Sequence, residues 1–158
     1  MNNLINANVE LPALSIGQPT EGDGYKIVAC DLLQGVEALS TLQNVSPRNC
    51  ALLAAHALEC ALKAFLWNKG KSNEIRDFDV QHNLVALWAM AYEEGLGVPQ
   101  IPPDWCAILS LGHGPDYYFR YQMGRGKKVV HGGQSLALLP MAAELKELIE
   151  MVLLAVKS

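Results

Sequence analysis

The sequence predicts an all-α fold, an antiparallel up-and-down bundle of four to five helices. Three observations predict it. Apolar residues recur at helical spacing over most of the chain from residue 25, the stretch from Ser46 to Gly70 is apolar on almost every side, and Ser, Pro and Gly punctuate the places where helices would start and stop. With 158 residues, 51% of them hydrophobic and 18% charged, the chain can bury a real core within one domain, and its composition argues against disorder.

Residues 1–23, rich in Asn, Pro and Gly, hold no sustained period and read as an extended N-terminal arm, with residues 24–158 forming the bundle domain. From Tyr25 to about Asn44, Val28, Leu32, Val36, Leu39 and Leu42 make one apolar stripe and predict the first helix. Ser46 then offers an N-cap oxygen, Pro47 occupies a first helical position where its missing N–H is harmless, and Gly70 closes the second helix. At about 100° per residue, Asn49, His56, Glu59 and Lys63 share a narrow polar strip of that helix, while Leu53, Leu58, Ala61, Leu62, Phe65 and Leu66 cover most of the rest. Such a helix belongs at the centre of the bundle.

Beyond a polar loop, Asp79 can cap a third helix whose Leu84, Leu87, Trp88, Ala91 and Tyr92 form a stripe until Gly95 and Gly97 end it. Pro102, Pro103 and Asp104 open a shorter apolar helix that stops at Gly112. The last helix carries Met141, Leu145, Leu148, Ile149, Val152 and Val156 on one side and Glu144, Glu147 and Glu150 on the other, with Pro140 marking its start or a kink. Between these two helices the pattern is not helical. Phe119, Tyr121 and Met123 alternate with Tyr118, Arg120 and Gln122 ahead of Gly124 and Gly126, which predicts an irregular or short β-hairpin insertion at about 113–133.

Composition also removes whole classes of function. Twelve basic against sixteen acidic residues give a net charge of −4, so nucleic acid could be drawn only by a local basic patch. The N-terminal stretch has no positive region or unbroken apolar run, and no segment approaches the roughly 20 apolar residues of a membrane span, which makes a cytoplasmic location the default expectation. Cys30, Cys50, Cys60 and Cys106 show no CxxC pairing and read as reduced core residues. The GKS triplet at residues 70–72 matches the end of a phosphate-binding loop, but Phe65 stands where the first glycine should be. GxSxG, HExxH and GxGxxG are absent, and the four histidines lack the spacing that puts two ligands on one helical face, so no metal site, dinucleotide site or cofactor is expected.

Two groups of residues remain as candidates. Glu59 precedes Lys63 by four residues, in the favourable orientation, with His56 about one turn earlier and His82 at the beginning of the third helix. This strip reads either as a solvated face or interhelical ion pair, or as the lining of a cleft in which Lys63 or His56 meets a phosphate and Glu59 orients them. The second group is the basic aromatic segment, where Arg120, Arg125, Lys127 and Lys128 oppose one acid, Asp116, and mingle with Tyr117, Tyr118, Phe119 and Tyr121. Cations match phosphates and aromatic rings stack bases, so the composition suits single-stranded RNA or a nucleotide; the plainer reading is a loop whose aromatics pack on the helices.

AAHALECALKAFLWNKG at residues 54–70 and HNLVALWAMAYEEGL at residues 82–96 resemble, respectively, the second helix with its Glu and Lys and the His-x-Leu-x-x-Leu helix of the HEPN-like superfamily. These helical domains occur in prokaryotic toxins, defence systems and partners of minimal nucleotidyltransferases. The resemblance covers most of the chain from about residue 25 and implies an antiparallel bundle, a homodimer, and a role in RNA cleavage, nucleotide binding or partner binding. Ribonuclease members carry Arg, four to six residues, then His, near the start of a late helix in a dimer cleft. Arg76 with His82 and Arg125 with His131 satisfy that spacing, but the first pair lies in a loop and the second is embedded in GRGKKVVHGG, where glycines oppose a helix. The expectation is therefore a HEPN-like domain that binds RNA, a nucleotide or a protein partner such as a nucleotidyltransferase, through His56, Glu59, Lys63, His82, Arg120 and Tyr121. The alternatives are a metal-independent endoribonuclease using Arg125 and His131, and a non-catalytic dimerising adaptor.

Overall fold

The computed structural model describes residues 20–115, 117–120 and 136–156. Among them are α1 (Glu21–Ser40), α2 (Pro47–Asn68), a 3₁₀ turn (Glu74–Arg76), α3 (Leu84–Glu93), α4 (Asp104–His113) and α5 (Leu138–Val156), and no strand. The all-α class is as expected. Most of the insertion expected at about 113–133 lies outside the described residues; within them, His113 is the last residue of α4 and residues 118–120 form a turn.

α1 starts before its predicted stripe. Thr20 accepts a hydrogen bond from the Asp23 N–H (3.2 Å) while the Asp23 carboxylate accepts from the Thr20 N–H (3.1 Å), a capping box that satisfies donors the helix itself leaves orphaned. Residues 21–23, expected in the arm, therefore belong to the helix. The buried face is the predicted one in part: Val36 is buried and Leu32 and Leu39 pack against the core, but Ala29 and Leu33 are buried as well, and Val28 and Leu42 are exposed. A Cβ on Gly22 would come within 2.6 Å of the Trp67 ring, so glycine here lets α1 close onto the last turn of α2.

α2 runs between the predicted limits. Ser46 occupies the N-cap position without making a side-chain capping bond, and Pro47 opens the helix. At the other end Gly70 adopts φ +79°, its N–H bonds the Trp67 carbonyl at 3.0 Å, and the Lys71 N–H bonds the Leu66 carbonyl at 3.0 Å, the two bonds of a Schellman closure. α2 packs against α1, α3, α4 and α5, which explains why its core stretch from Ala57 to Leu66 is buried without interruption. By length and composition α2 could cross a membrane, where the sequence reading found no such segment, but 78% of that window is buried inside the molecule. Its apolar surface is already matched by helices.

Asn83, and not Asp79, caps α3, accepting from the Ala86 N–H at 3.1 Å. The chain from Asp77 to Gln81 is instead held in turns by its own backbone bonds, which leaves His82 just ahead of α3 and not on it. The Leu84 N–H then bonds Ser110 Oγ of α4 at 3.1 Å, tying the start of α3 to the end of α4. Pro140 lies in the first turn of α5, where no N–H is needed, and Met141, Leu145, Leu148, Ile149 and Val152 are buried as predicted. Tyr92, expected in the α3 stripe, is exposed. All four cysteines are free; burial pushes the Cys60 and Cys106 thiols up to about 12, which makes them inert core groups.

Candidate functional site

The polar strip of α2 turns inward as it descends the helix. Asn49 is exposed and His56 half-buried, but Glu59 and Lys63 each retain only 5% exposure. A solvated face is thereby ruled out for this pair. Lys63 Nζ lies 2.6 Å from Glu59 Oε1 and 5.7 Å from the centre of the Tyr25 ring on α1, so the ammonium neutralises the carboxylate within the core and does not reach outward to a phosphate.

The other oxygen of Glu59 collects two imidazoles. Nδ1 of His82 stands 3.0 Å from Oε2, and Nε2 of His113, the last residue of α4, stands 2.5 Å from the same atom. A carboxylate only accepts, so both ring nitrogens donate. Burial pushes the Glu59 carboxyl up, but the His113 bond, the Lys63 charge and bond, and the His82 bond outweigh it and hold the group at about 2. His113 is 1% exposed, and its Nδ1 is buried without a hydrogen-bond partner among the described residues. The His56 and His113 ring centres are 6.2 Å apart. Burial lowers the His56 pKa against the pull of Glu59, helped by His113, Arg120 and Lys63, which favours the neutral imidazole.

From His82 the cluster continues outward. Tyr117 meets the His82 ring edge to face with centres 5.6 Å apart, and the exposed Arg120 places its guanidinium 5.2 Å from the centre of the Tyr117 ring. Tyr117 has φ 51°, a left-handed conformation that a bulky residue adopts only when its surroundings hold it there. Those surroundings are explicit. Arg48, on the first turn of α2, donates to the carbonyls of Phe119 (2.9 Å) and Tyr118 (2.6 Å), the Phe119 N–H bonds the Gly112 carbonyl (3.0 Å), and the Phe119 ring lies where a Cβ on Gly112 would be, 2.3 Å away.

Arg48→Ala is accordingly expected to release the turn at residues 117–120 while the helices persist. Amide exchange at Phe119 and Arg120 should accelerate by about tenfold or more, with far-UV circular dichroism unchanged; unaltered exchange at those two amides would show that Arg48 does not hold the turn.

Nothing matches this chain among protein-family models, curated proteins or solved structures. Of the residues singled out by sequence, the fold brings Glu59, Lys63 and His82 into direct contact, sets His56 beside them and places Arg120 against Tyr117 at the edge of the cluster. Arg76, considered with His82, is instead engaged by Glu21 of α1. Tyr121, Arg125 and His131 lie outside the described residues. His113 and Arg48 escaped the sequence reading because their partners are 54 and 70 to 71 residues away; only the Gly-His-Gly run at residues 112–114 hinted that His113 sits where the backbone is closely approached.

Three donors, Glu59 Oε2, His82 Nδ1 and one nitrogen of His113, fall within 4.8 Å of one another. They come from α2, the turn before α3 and the end of α4, so the histidine spacing tested in the sequence could not detect them. Chemically, the arrangement offers an oriented pair of imidazoles, a further imidazole at His56, and a guanidinium over an aromatic ring.

Proposed function

We propose that this chain is a HEPN-like antiparallel helical bundle that binds a phosphate-bearing ligand, RNA or a nucleotide, without acting as a standard ribonuclease. One observation supports the reading above the others: the buried Glu59 of the α2 strip bonds His82, and His82 meets Tyr117 beneath the exposed Arg120. The strip and the beginning of the basic aromatic segment thus adjoin. In this reading Arg120 contacts phosphate, Tyr117 and Tyr121 supply rings on which a base can stack, and His56 and His82 line the approach. Glu59 and Lys63 position these groups and do not touch the ligand. The family resemblance extends the proposal to a cytoplasmic homodimer that works with a nucleotidyltransferase in a toxin-antitoxin or defence setting.

Fluorescence anisotropy of a labelled single-stranded oligoribonucleotide tests the reading. Binding should weaken between about 50 and about 200 mM salt, and Arg120→Ala should reduce the slope of log K against log salt by about 0.7, the share of one phosphate contact on a single strand. The RNA should remain intact in EDTA. An unchanged slope and affinity in Arg120→Ala, or a dimer that binds no RNA or nucleotide, would favour the adaptor; cleavage lost in Arg125→Ala or His131→Ala would favour the endoribonuclease.

A further inference from the structure

We propose that Glu59, His82 and His113 are the protein ligands of a divalent transition-metal site of the zinc class. Two imidazoles and a carboxylate are nitrogen and oxygen donors that suit zinc and its late first-row neighbours, whereas calcium and magnesium prefer oxygen alone.

The separations fit an ion held between the three side chains. Neighbouring donors around a tetrahedral zinc with bonds of about 2.0–2.1 Å stand about 3.3 Å apart. Here Oε2 of Glu59 is 3.0 Å from His82 Nδ1 and 2.5 Å from His113 Nε2. Widening these two gaps by less than about 1 Å, with the two imidazole donors within 4.8 Å of each other, admits the ion. Once bound, each imidazole ligates through one ring nitrogen and carries its proton on the other, and no other reactant is required.

The convergence asks for an explanation that Lys63 does not supply. As a counterion, Lys63 engages Oε1 alone, and a carboxylate kept only for that ion pair requires neither imidazole. Two imidazoles from separate elements nevertheless aim at the same Oε2, 23 and 54 residues away in sequence. The surrounding bonds hold this geometry: Lys63 fixes the far oxygen of the carboxylate, and the bond from the Leu84 N–H to Ser110 Oγ joins the segment carrying His82 to the helix carrying His113. The His113 side chain is fully enclosed, while that of His82 is 28% exposed, leaving a route for the ion past His82.

This site goes beyond ligand binding at Arg120, and its test uses no RNA. The full chain, stripped with EDTA, is titrated with Co2+ and followed by visible absorption, then titrated with Zn2+ against a chromophoric chelator. The expected result is a saturable, intense band set of tetrahedral Co2+ that Zn2+ displaces. His82→Ala, at the partly exposed ligand, should keep its far-UV circular dichroism and lose more affinity than the 10–100-fold that outer-shell changes bring. Cys30→Ser, at a half-buried thiol outside the cluster, should bind as the parent does. Glu59→Gln provides a second ligand change if His82→Ala does not fold. A parent protein without tetrahedral Co2+ bands, or equal affinity in a folded ligand variant, overturns the proposal; RNA anisotropy in EDTA reports separately on the Arg120 surface.

Discussion

Glu59→Ala is expected to destabilise the metal-free protein by about 3–5 kcal/mol in urea unfolding, the range found when one partner of a buried ion pair is removed. Lys63 retains 5% exposure and sits 2.6 Å from the carboxylate, so the variant leaves an ammonium in the core without its counterion. The same change strips Nε2 of the enclosed His113 and Nδ1 of His82 of their acceptor. The magnitude therefore reflects stranded groups and not the net worth of the pair. Glu59→Leu combined with Lys63→Met removes both charges together and should recover the share due to the stranded ammonium, because a well-packed apolar pair can replace a buried ionic one at little net change, while the two imidazoles stay without their acceptor. A Glu59→Ala variant within about 1 kcal/mol of the parent would mean that Lys63 finds water when released, and that the cluster contributes little to holding α2 against the end of α4.

What the sequence disclosed of this fold follows from how far each interaction reaches along the chain. Pro47 and Gly70 delimit α2 because helix starts and stops are decided within a few residues, and Glu59 with Lys63 is visible because four residues make one helical turn. Caps were harder where two polar candidates compete. Asp79 and Asn83 both precede an apolar run, and the turns from Asp77 to Gln81 decide for Asn83. The stripe of α1 holds at Leu32, Val36 and Leu39 and fails at Val28 for a different reason: Ala29 is small enough to fit under close neighbours while Val28 faces out, and hydrophobicity alone does not rank those two positions.

The site itself was only half legible. Its strip lies on one helix and could be read from spacing, but burial of Glu59 and Lys63 depends on four other helices enclosing α2. His113, which completes the cluster, belongs to α4 and has no local signature beyond its flanking glycines. The described part of the aromatic segment shows the packing that the plainer reading expected. Phe119 packs on Gly112 as an ordinary loop anchor, and that anchoring is what presents Tyr117 to His82 and leaves Arg120 exposed. Packing and site are the same contacts here.

Phe65→Ala is expected to destabilise the protein by about 3–5 kcal/mol as well, but for an unrelated physical reason. Phe65 is 1% exposed on α2, and truncating it removes apolar burial and opens a cavity that the surrounding side chains fill only in part. It lies six residues beyond Glu59, about 9 Å along the helix axis and turned well away from it. The two losses should therefore add to within about 0.5 kcal/mol in a double-mutant cycle, whereas Glu59 and Lys63 should couple strongly because each is the other's counterion. If both α2 variants unfold in a single transition with unchanged urea dependence, the core and the cluster belong to one cooperative unit. Folded Phe65→Ala should then retain ligand affinity at low temperature while Arg120→Ala loses it, separating a protein that has become unstable from one whose site has been altered. Marked coupling between Phe65 and Glu59 would contradict this division, and would mean that the cavity relaxes by moving α2 and with it the carboxylate on which the imidazoles converge.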